Sequence, residues 1–448
     1  MMTYEQACDF AKNAAKSGSI LGLDSIRRLM EKLSDVQERL PIIHIAGTNG
    51  KGSVGAYLAS IFREADLHVA RYTSPAVFTP LEVFTYDGEN ITETEYGGVM
   101  SQVKDACDIM VSEGRECPTI FEIETAVAFL WFYEKKPDVV LLETGMGGEL
   151  DATNLITHPL ASVITSISMD HMQFLGDTIE AIARAKAGII KEGCPVYCAP
   201  QSDAVRTVLQ EVAKERNAPI LFTDLTGDQI TEEKPGRMAF DHKLSTGERI
   251  SLTTVMAGTY QVKNAALAAE VAFAMLGGQM KGTFALKGTQ RIVQQSTEDV
   301  CEIIKRGIFQ TRWPGRFEVV SEDPFLIIDG AHNEDAAVQL AETVENCFTN
   351  MRLTYIIGVL ADKEHEKMLE IMLPYAKRVY TVTPDNARAL DAKSLAQEAA
   401  KYCTDVQDVG SVEQALVLAL KDKDPVLAFG SLSYLGDLKR AFYLYKES

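Results

Sequence analysis

The segment that most constrains the fold of this chain is Ile42–Ser53, which reads IIHIAGTNGKGS. Its apolar start predicts the end of a buried strand, and its glycines let the backbone turn tightly and point N–H groups inward. The helix predicted to begin near Gly52 adds the positive end of its dipole, and Lys51 adds a full charge. We therefore predict a phosphate-binding loop made of Gly47, Thr48, Asn49, Gly50, Lys51, Gly52 and Ser53. The alternative is an ordinary glycine-rich turn, because the spacing differs from that of the common phosphate-loop motif G-x-x-x-x-G-K-[ST] and short motifs also occur by chance.

The composition is that of a globular protein of two or three domains, since 46% of the 448 residues are hydrophobic and 24% are charged. A net charge of −19 argues against a non-specific nucleic-acid or anionic-membrane surface. Residues 1–15 lack the apolar core of a signal peptide, and apolar stretches such as Ala126–Tyr133 are too short to span a bilayer. The eight scattered cysteines fit free thiols in a reducing compartment, so we expect a cytoplasmic protein.

Strand-like and helix-like segments alternate along nearly the whole chain, which predicts an α/β fold. Thr119–Glu122 is a capping-box pattern that opens a helix running to about Tyr133, and Ile179–Ile190 has the helical spacing of apolar residues. Residues 224–256 are richer in polar and β-branched residues, and we interpret them as a small antiparallel excursion. The strands predicted in this part are Pro41–Ala46, Val69–Tyr72, Val139–Glu143, Ser162–Ile167 and Val196–Cys198.

A second α/β block is predicted to begin near Trp313, with the stretch Arg306–Pro314 as the seam. Helix-patterned segments separate its strands, which favours a second layered α/β domain over an extension of the first sheet. The predicted strands are Phe317–Val320, Phe325–Ile328, Tyr355–Val359, Val379–Thr383 and Val426–Phe429.

Three polar side chains follow predicted strands of the first block, where open α/β sheets place their ligands. Ser74 follows the second strand, Glu143 ends an apolar strand, and His171 comes just after another. A buried carboxylate beside a phosphate loop is a natural ligand for Mg²⁺. These residues predict a mixed oxygen and nitrogen metal site, although histidine is an uncommon Mg²⁺ ligand and composition leaves the metal open. The alternatives are a turn serine, a helix-capping glutamate and a structural histidine.

Lys186 lies on an otherwise apolar helix face, within Ala181–Ile190. It either extends its amine to solvent along that face or is buried. Burial would lower its pKa, and a neutral amine can react with CO₂ to form a carbamate, an anion that binds metals. Periodicity alone does not distinguish these two states.

Four polar residues of the second block lie at predicted turns or strand ends. Arg316 carries the planar fork that recognises phosphate oxygens. Asp329 and His332 follow one strand, and Ser431 follows the last strand, where a helix N-terminus would form an anion site. Taken singly, each is also explained by a surface turn.

Eight segments, in this order, resemble the folylpolyglutamate synthase and dihydrofolate synthase family of Mur-ligase-like ATP-dependent amide ligases. The longest and most specific is ITSISMDHMQFLGDTIEAIARAKAGIIK at residues 164–191. The shorter segments gain specificity from their fixed order between Ala46 and Gly436. They are AGTNGKGS (46–53), YTSP (72–75), ETGMGGELDATN (143–154), GTYQVKNA (258–265), WPGRFE (313–318), DGAHN (329–333) and FGSLSYLG (429–436).

The resemblance implies an N-terminal P-loop, Mur-ligase-type ATP-binding domain over residues 1–311 and a smaller Rossmann-like α/β glutamate-ligase domain over residues 312–448. It implies that ATP and substrates lie between them, with one or two Mg²⁺ ions and a carbamate on Lys186. We accordingly predict four catalytic residues, which are Lys51, Lys186, Asp329 and His332. The predicted nucleotide contacts are Gly47–Ser53, Asn264, Arg316 and Asp329. The predicted metal ligands are Ser74, Glu143, His171 and Lys186. The predicted substrate contacts are Glu122, Asp151, His332 and Ser431.

The reaction implied by the resemblance is ATP-dependent ligation of L-glutamate to a folate carboxylate through an acyl phosphate. Polyglutamylation of a reduced folate is the activity we favour. The alternatives are a bifunctional enzyme that also makes dihydrofolate from dihydropteroate, a peptidoglycan-type ligase, and a nucleotide-dependent switch that has lost ligation. We expect a monomer whose partners are small molecules, without nucleic acid or membrane.

The chain departs from the family pattern near the expected pterin side of the site. Many members have a histidine after the serine–proline pair and an arginine in an NER segment, where this chain has Ala76 and Thr79–Glu82. Only Glu82 matches, so the choice of pterin substrate is the property that these departures affect. Tyr260 stands where a histidine is common, which bears on adenine packing.

Overall fold

Alternating strands and helices fill the computed structural model, which describes residues 1–15, 22–277, 296–361, 365–421 and 423–447. Strands β1 to β8 are Ile42–Ala46, Val69–Tyr72, Phe84–Tyr86, Glu89–Asn90, Val139–Glu143, Ala161–Ile164, Val196–Cys198 and Ile220–Phe222. Strands β9 to β11 are Gln229–Lys234, Arg237–Lys243 and Arg249–Thr254. Strands β12 to β17 are Glu318–Glu322, Phe325–Ile328, Leu353–Ile357, Ala376–Val382, Val406–Gly410 and Val426–Phe429.

The helices carry the apolar faces that cover these sheets. Helices α1 to α8 are Tyr4–Ala15, Asp24–Lys32, Lys51–Glu64, Glu93–Ser112, Ile120–Lys135, Met172–Leu175, Ile179–Ala187 and Asp203–Glu215. Helices α9 to α15 are Thr259–Leu276, Thr297–Gln310, Glu334–Cys347, His365–Met372, Ala392–Ala399, Val412–Lys421 and Leu435–Glu447. Within the described ranges, no helix is both long enough and apolar enough to cross a membrane.

The chain divides into two compact units. The first contains residues 1–226, 243–248 and 264–308, and the second contains 227–242, 249–263 and 309–448. The boundary predicted between residues 311 and 312 stays a prediction. The grouping of 227–242 and 249–263 with the C-terminal part is a feature that no sequence pattern indicated.

The first unit is built on an eight-stranded sheet with the order β4-β3-β2-β5-β1-β6-β7-β8. The strands from β2 to β8 in that order pair in parallel, and β3 pairs antiparallel to β2. β1 and β5 are buried along their whole length, as expected for central strands covered on both faces. The carboxyl ends of β2, β5, β1 and β6 therefore meet at one edge of the sheet, where the predicted site residues follow them.

The second unit contains a six-stranded sheet with the order β12-β13-β17-β14-β15-β16, in which only the edge strand β12 pairs antiparallel within the described residues. Its core includes Phe317, Tyr355, Leu369 and Phe429. A separate three-stranded sheet, ordered β11-β10-β9, confirms the excursion predicted within residues 224–256, and β9 and β10 pair antiparallel.

Several predicted elements agree with the structure residue for residue. They are the strands Val69–Tyr72, Val139–Glu143, Val196–Cys198, Phe325–Ile328 and Val426–Phe429. The capping box is also confirmed, because the Thr119 N–H donates to Glu122 Oε2 at 2.7 Å and the Glu122 N–H donates to Thr119 Oγ1 at 3.4 Å. Local patterns predicted these elements because an apolar run marks a strand that a sheet buries, and because a capping box is completed within one helical turn.

The predicted strand Ser162–Ile167 and helix Ile179–Ile190 each extend three residues beyond the observed C-terminal end, and tertiary contacts explain both. β6 ends at Ile164 rather than residue 167, since Ser166 turns its carbonyl toward the N–H of Thr48 at 2.8 Å. α7 ends at Ala187, and a Cβ on Gly188 would lie 2.4 Å from the Cα of Glu149, so the chain approaches another backbone there. The short strand β8 and the largely exposed strand β16 were not predicted, because neither carries a strong alternating apolar pattern.

Candidate active site

The glycine-rich loop between β1 and α3 has a backbone that only glycine accommodates at two positions. Gly47 has φ of +154° and Gly50 has φ of +89°. A Cβ on Gly47 would lie 1.8 Å from Oγ1 of Thr165, and a Cβ on Gly50 would lie 2.4 Å from Oδ1 of Asn264. Asn264, a predicted nucleotide contact, therefore lies beside the loop. Helix α3 begins at Lys51, so its N-terminus lies at the end of the same loop.

The loop after β6 holds the glycine-rich loop in place. The N–H of Thr48 donates to the Ser166 carbonyl at 2.8 Å, and the Thr48 hydroxyl donates to the Ser168 carbonyl at 3.0 Å. Gln201 secures this second loop by donating to the Thr165 carbonyl at 2.8 Å and accepting from the Ile167 N–H at 3.2 Å. The two loops therefore form one hydrogen-bonded assembly at the carboxyl edge of the sheet.

The Nζ atoms of two lysines converge on one carbonyl of the glycine-rich loop. Lys186 Nζ donates to the Gly47 carbonyl at 2.9 Å, and Lys51 Nζ donates to the same oxygen at 3.2 Å and to that of Thr48 at 3.3 Å. Lys186 is 3% exposed. Its burial, followed by the charge of Lys51, lowers the pKa of Lys186 to about 7. The buried state of Lys186, left open by periodicity, is the one the structure has.

Arg71 is a part of this assembly that the sequence analysis missed. It lies in the middle of β2, is 8% exposed, and donates from Nη2 to the Gly52 carbonyl at 2.7 Å. Burial lowers the pKa of Arg71 to about 10, and the nearby charge of Glu143 opposes that shift. The available signal was a charged residue inside an otherwise apolar strand.

Three of the four predicted metal ligands follow parallel strands of one sheet, and the fourth, Lys186, lies in α7. Ser74 comes shortly after β2, and Glu143 is the last residue of the neighbouring strand β5 and is 6% exposed. His171 lies well beyond the end of β6, and its exposed ring has Nε2 at 3.8 Å from Oδ2 of Asp170. A hydroxyl and a buried carboxylate suit Mg²⁺, which prefers oxygen ligands. Within the described ranges, no cluster of three or more His, Cys, Asp or Glu residues forms a metal site by itself.

The two carboxylates predicted to contact substrate are both held by local hydrogen bonds. Glu122 belongs to the capping box of α5. Asp151 is 3% exposed and accepts from the N–H of Met146 at 2.8 Å and from the N–H and hydroxyl of Thr153 at 3.0 and 2.5 Å. Burial raises the pKa of Asp151, and these donors oppose the rise. The roles of both residues in substrate binding stay predictions.

In the second unit, three predicted residues surround Gly330. Asp329 accepts from the N–H of Phe317 at 2.7 Å and of Ala331 at 2.8 Å. Burial raises the pKa of Asp329, and the charge of Arg316 opposes that rise. A Cβ on Gly330 would lie 3.0 Å from Nη1 of Arg316, so the guanidinium passes over this glycine. His332 donates from Nδ1 to the Gly330 carbonyl at 2.8 Å.

Ser431 lies near this group because its strand is next to that of Asp329. β13 and β17 pair in parallel, and the Asp329 N–H donates to the Ala428 carbonyl at 2.9 Å. Ser431 is 5% exposed, and its hydroxyl accepts from the N–H of Ser433 at 3.2 Å. The hydroxyl therefore caps a short helical turn, and its role with substrate stays a prediction.

Two domain families match the chain, the Mur ligase middle domain at residues 45–272 and the Mur ligase glutamate ligase domain at residues 315–432. A Bacillus subtilis protein named dihydrofolate synthase/folylpolyglutamate synthase is 33% identical over 98% of both chains. The chain belongs to the folylpolyglutamate synthase and dihydrofolate synthase family. The family predicted from the ordered motifs is thereby confirmed, together with the assignment as an ATP-dependent glutamate ligase.

Solved structures of this family share the fold of the whole chain. A Mycobacterium tuberculosis folylpolyglutamate synthase complexed with ADP and AMPPCP has a TM-score of 0.86 and 27% identity, covering 98% of this chain and 99% of its own. The Escherichia coli FolC protein in complex with DHPP and ADP has a TM-score of 0.81 and 26% identity, covering 99% and 98%. The predicted α/β fold class with Mur-ligase middle and C-terminal domains is confirmed.

Proposed function

We propose that this chain uses ATP to join the α-amine of L-glutamate to a carboxylate of a reduced folate, extending a γ-glutamyl tail. The observation that carries the proposal is the convergence of Lys51 and Lys186 on the Gly47 carbonyl, at the N-terminus of α3. The Lys51 ammonium and a helix N-terminus at the carboxyl edge of a parallel sheet form a site suited to a polyphosphate, and Lys186 lies against the same loop. The names of the relatives support the choice of folate and glutamate.

In the first step, a substrate carboxylate oxygen attacks the γ-phosphorus of ATP, and the bond to the bridging oxygen of ADP breaks. The product is an acyl phosphate, which is a far better acylating agent than a carboxylate. Lys51 and the N–H groups of residues 47–53 neutralise and orient the phosphoryl oxygens, and Arg316 is proposed as a further nucleotide contact. Asn264 fixes the shape of the loop through its position against Gly50.

Ser74, Glu143 and His171 are the residues proposed to hold Mg²⁺. The ion, when bound, supplies charge neutralisation for the phosphoryl oxygens. Arg71 supports this site, because its charge interacts with that of Glu143 while its Nη2 donates to the Gly52 carbonyl at 2.7 Å. It therefore links the proposed metal ligand Glu143 to the phosphate-binding loop.

The carbamate on Lys186 is part of the proposal. At a pKa near 7, a large share of Lys186 is the neutral amine at neutral pH. That nitrogen can attack CO₂, forming an N–C bond and releasing one proton, and the product is an anion able to bind a second metal. ¹³C-labelled CO₂ should give a carbamate resonance that is absent from Lys186→Met, and its absence from the wild-type protein would contradict this assignment.

In the second step, the amine of glutamate attacks the acyl carbon, and inorganic phosphate leaves after the tetrahedral intermediate collapses. Asp329, His332 and Ser431 are proposed to handle glutamate. The Nδ1–H of His332 donates to the Gly330 carbonyl at 2.8 Å, which orients the ring next to Asp329. His332 is proposed to take a proton from the incoming ammonium group.

A bifunctional enzyme that also ligates glutamate to dihydropteroate is the second candidate, and the relative carrying both activity names favours it. The decisive experiment measures glutamate-dependent ADP release with dihydropteroate and with tetrahydrofolate as separate acceptors. Turnover with tetrahydrofolate alone supports polyglutamylation, and turnover with both supports bifunctionality. ATP hydrolysis that is independent of glutamate and of either acceptor would contradict the ligase and indicate a switch.

A further inference from the structure

Tyr260 lies in the first turn of α9, in the part of that helix that belongs to the second unit. Its ring lies against the backbone of Gly258, because a Cβ on that glycine would be 2.5 Å from Cε1 of Tyr260 and 2.6 Å from Oγ1 of Thr343. Gly258 has φ of +106°, so the turn before α9 has a backbone that favours glycine. The aromatic ring is therefore closely packed at the start of the helix.

The hydroxyl of Tyr260 is hydrogen-bonded to the carboxylate of Asp329, a buried residue that comes directly after β13. Burial raises the pKa of Asp329, and four interactions oppose the rise. They are the charge of Arg316, the N–H groups of Ala331 and Phe317, and the Tyr260 hydroxyl. The two N–H groups belong to the backbone, so the Tyr260 hydroxyl is the kind of donor that a single substitution removes.

The Asp329 carboxylate in turn holds a strained piece of backbone next to Arg316. Its Oδ2 accepts from the Phe317 N–H at 2.7 Å, and Phe317 has φ of +44° and is fully buried. A bulky residue at positive φ is an outlier that surrounding contacts must hold in place. The Gly330 N–H adds a second link between the two segments by donating to the Gly315 carbonyl at 2.8 Å. Because Arg316 lies between Gly315 and Phe317, these bonds fix the backbone that carries its guanidinium.

The phenol oxygen of Tyr260 has a role that is separate from that of the ring. Packing of an adenine ring, the property expected to depend on position 260, requires only an aromatic side chain. A phenylalanine would supply that ring but would leave the buried carboxylate of Asp329 with one donor fewer. The bond from the hydroxyl instead connects Tyr260 to Asp329 and, through the Phe317 backbone, to Arg316. Both Asp329 and Arg316 are predicted nucleotide contacts.

We propose that Tyr260 is a positioning residue for ATP: its hydroxyl holds the Asp329 carboxylate, which holds the Phe317 backbone and so sets the geometry with which Arg316 binds the nucleotide. The inference rests on the proposed function and on the predicted contacts of Asp329 and Arg316 with ATP. It gives the tyrosine that stands where a histidine is common in the family a role that belongs to its hydroxyl, in addition to any contact that its ring makes with the base.

The test removes one hydroxyl and keeps the ring, in the variant Tyr260→Phe. Tyr375→Phe is the matched control, because the Tyr375 hydroxyl donates to Oε2 of Glu345 at 3.3 Å in the same unit and neither residue has a predicted role in the site. Losing a hydrogen bond to a charged group should raise the KM for ATP about 10-fold in Tyr260→Phe. Both kcat at saturating ATP and the KM for tetrahydrofolate should stay within about 2-fold of the wild type, since only nucleotide binding is lost. Tyr375→Phe should leave all three constants unchanged.

Three results with these variants would each overturn the inference. They are an unchanged KM for ATP in Tyr260→Phe, an equal rise in the KM for tetrahydrofolate, and an equal effect in Tyr375→Phe. The last two would indicate a merely structural role, because a weakened fold acts on every ligand rather than on one. Failure of the proposed function has a different signature, because the wild-type protein would then show no glutamate-dependent ADP release with any folate acceptor.

A binding measurement tests the order of these contacts without turnover. The Kd for the non-hydrolysable ATP analogue AMPPCP, measured by calorimetry, should rise about 10-fold in Tyr260→Phe. Because Tyr260 acts through Asp329, the double variant Tyr260→Phe/Asp329→Ala should bind AMPPCP as Asp329→Ala does, within about 2-fold. A further loss of affinity in the double variant would overturn the inference. The comparison of Tyr260→Phe with Tyr375→Phe decides it even where Asp329→Ala does not fold.

Discussion

Gly50→Ala tests the geometry on which the phosphate-binding loop depends. Gly50 has φ of +89°, and a Cβ there would lie 2.4 Å from Oδ1, 3.2 Å from Cγ and 3.3 Å from Nδ2 of Asn264. The substitution therefore imposes two separate costs. One is a left-handed backbone with a side chain, and the other is displacement of the Asn264 amide.

The magnitude of each cost follows from the structure. A Cβ in the left-handed region costs about 1–2 kcal/mol, and an added methyl in a packed site costs about 1–3 kcal/mol. Gly50→Ala should therefore lower the free energy of unfolding by about 2–5 kcal/mol. It should also raise the KM for ATP at least about 10-fold, because the displaced amide changes the loop.

Gly227→Ala is a matched control, since Gly227 has the same φ of +89° and no atom within 4 Å of an added Cβ. It should lose only the backbone contribution of about 1–2 kcal/mol and keep the wild-type KM for ATP. Unfolding by urea, followed by circular dichroism, and steady-state ADP release give the two measurements. In the Gly50→Ala background, Asn264→Ala should cost less stability than in the wild type, because it removes the three close atoms.

Equal loss of stability in Gly50→Ala and Gly227→Ala, within about 0.5 kcal/mol, would refute the close approach of Asn264 to the loop. A normal KM for ATP in Gly50→Ala would refute the role of this loop in nucleotide binding. The two results are separable, because the first concerns packing and the second concerns the ligand.

Four further substitutions test single parts of the site. Lys51→Met should lower glutamate-dependent ADP release by about two orders of magnitude while far-UV circular dichroism stays unchanged, and near-normal turnover would contradict its role at the phosphates. Glu143→Gln should raise the Mg²⁺ concentration needed for half-maximal rate at least about 10-fold; an unaltered Mg²⁺ titration would exclude it as a ligand. Arg71→Met should raise the KM for ATP through loss of its bond to the Gly52 carbonyl, and an unchanged value would show that the loop holds its shape without it. Lys186→Met should remove a pH dependence of stability, because burial lowers the pKa of Lys186 from 10.5 in the unfolded chain to about 7 in the folded protein. Between these two pH values the unfolded chain binds more protons than the folded protein. In CO₂-free buffer, the free energy of unfolding of the wild type relative to the variant should therefore rise with pH, by at most about 1.4 kcal/mol per pH unit. A stability difference that is flat with pH would contradict the buried, neutral amine.

The local parts of the site were predictable from sequence because each is governed by neighbouring residues. The turn at Gly47 and Gly50 requires positive φ, and the capping box at Thr119–Glu122 is completed within one helical turn. The position of Glu143 followed from an apolar strand that ends in a carboxylate. The second unit's strands Phe325–Ile328 and Val426–Phe429 followed from the same kind of pattern.

Contacts between distant segments were decided by the tertiary structure. Arg71 reaches the Gly52 carbonyl only because β2 lies near α3, and Lys186 joins Lys51 only because α7 returns to the loop after β1. His44, Thr153 and Asp151 meet through a sheet order that no local pattern encodes. The sequence by itself determined the loop, the strands Val69–Tyr72 and Val139–Glu143 and the family, since these depend on backbone geometry and short-range order. The protonation states and partners of the buried side chains were decided by the fold, because burial and neighbouring charge arise only when segments far apart in the chain pack together.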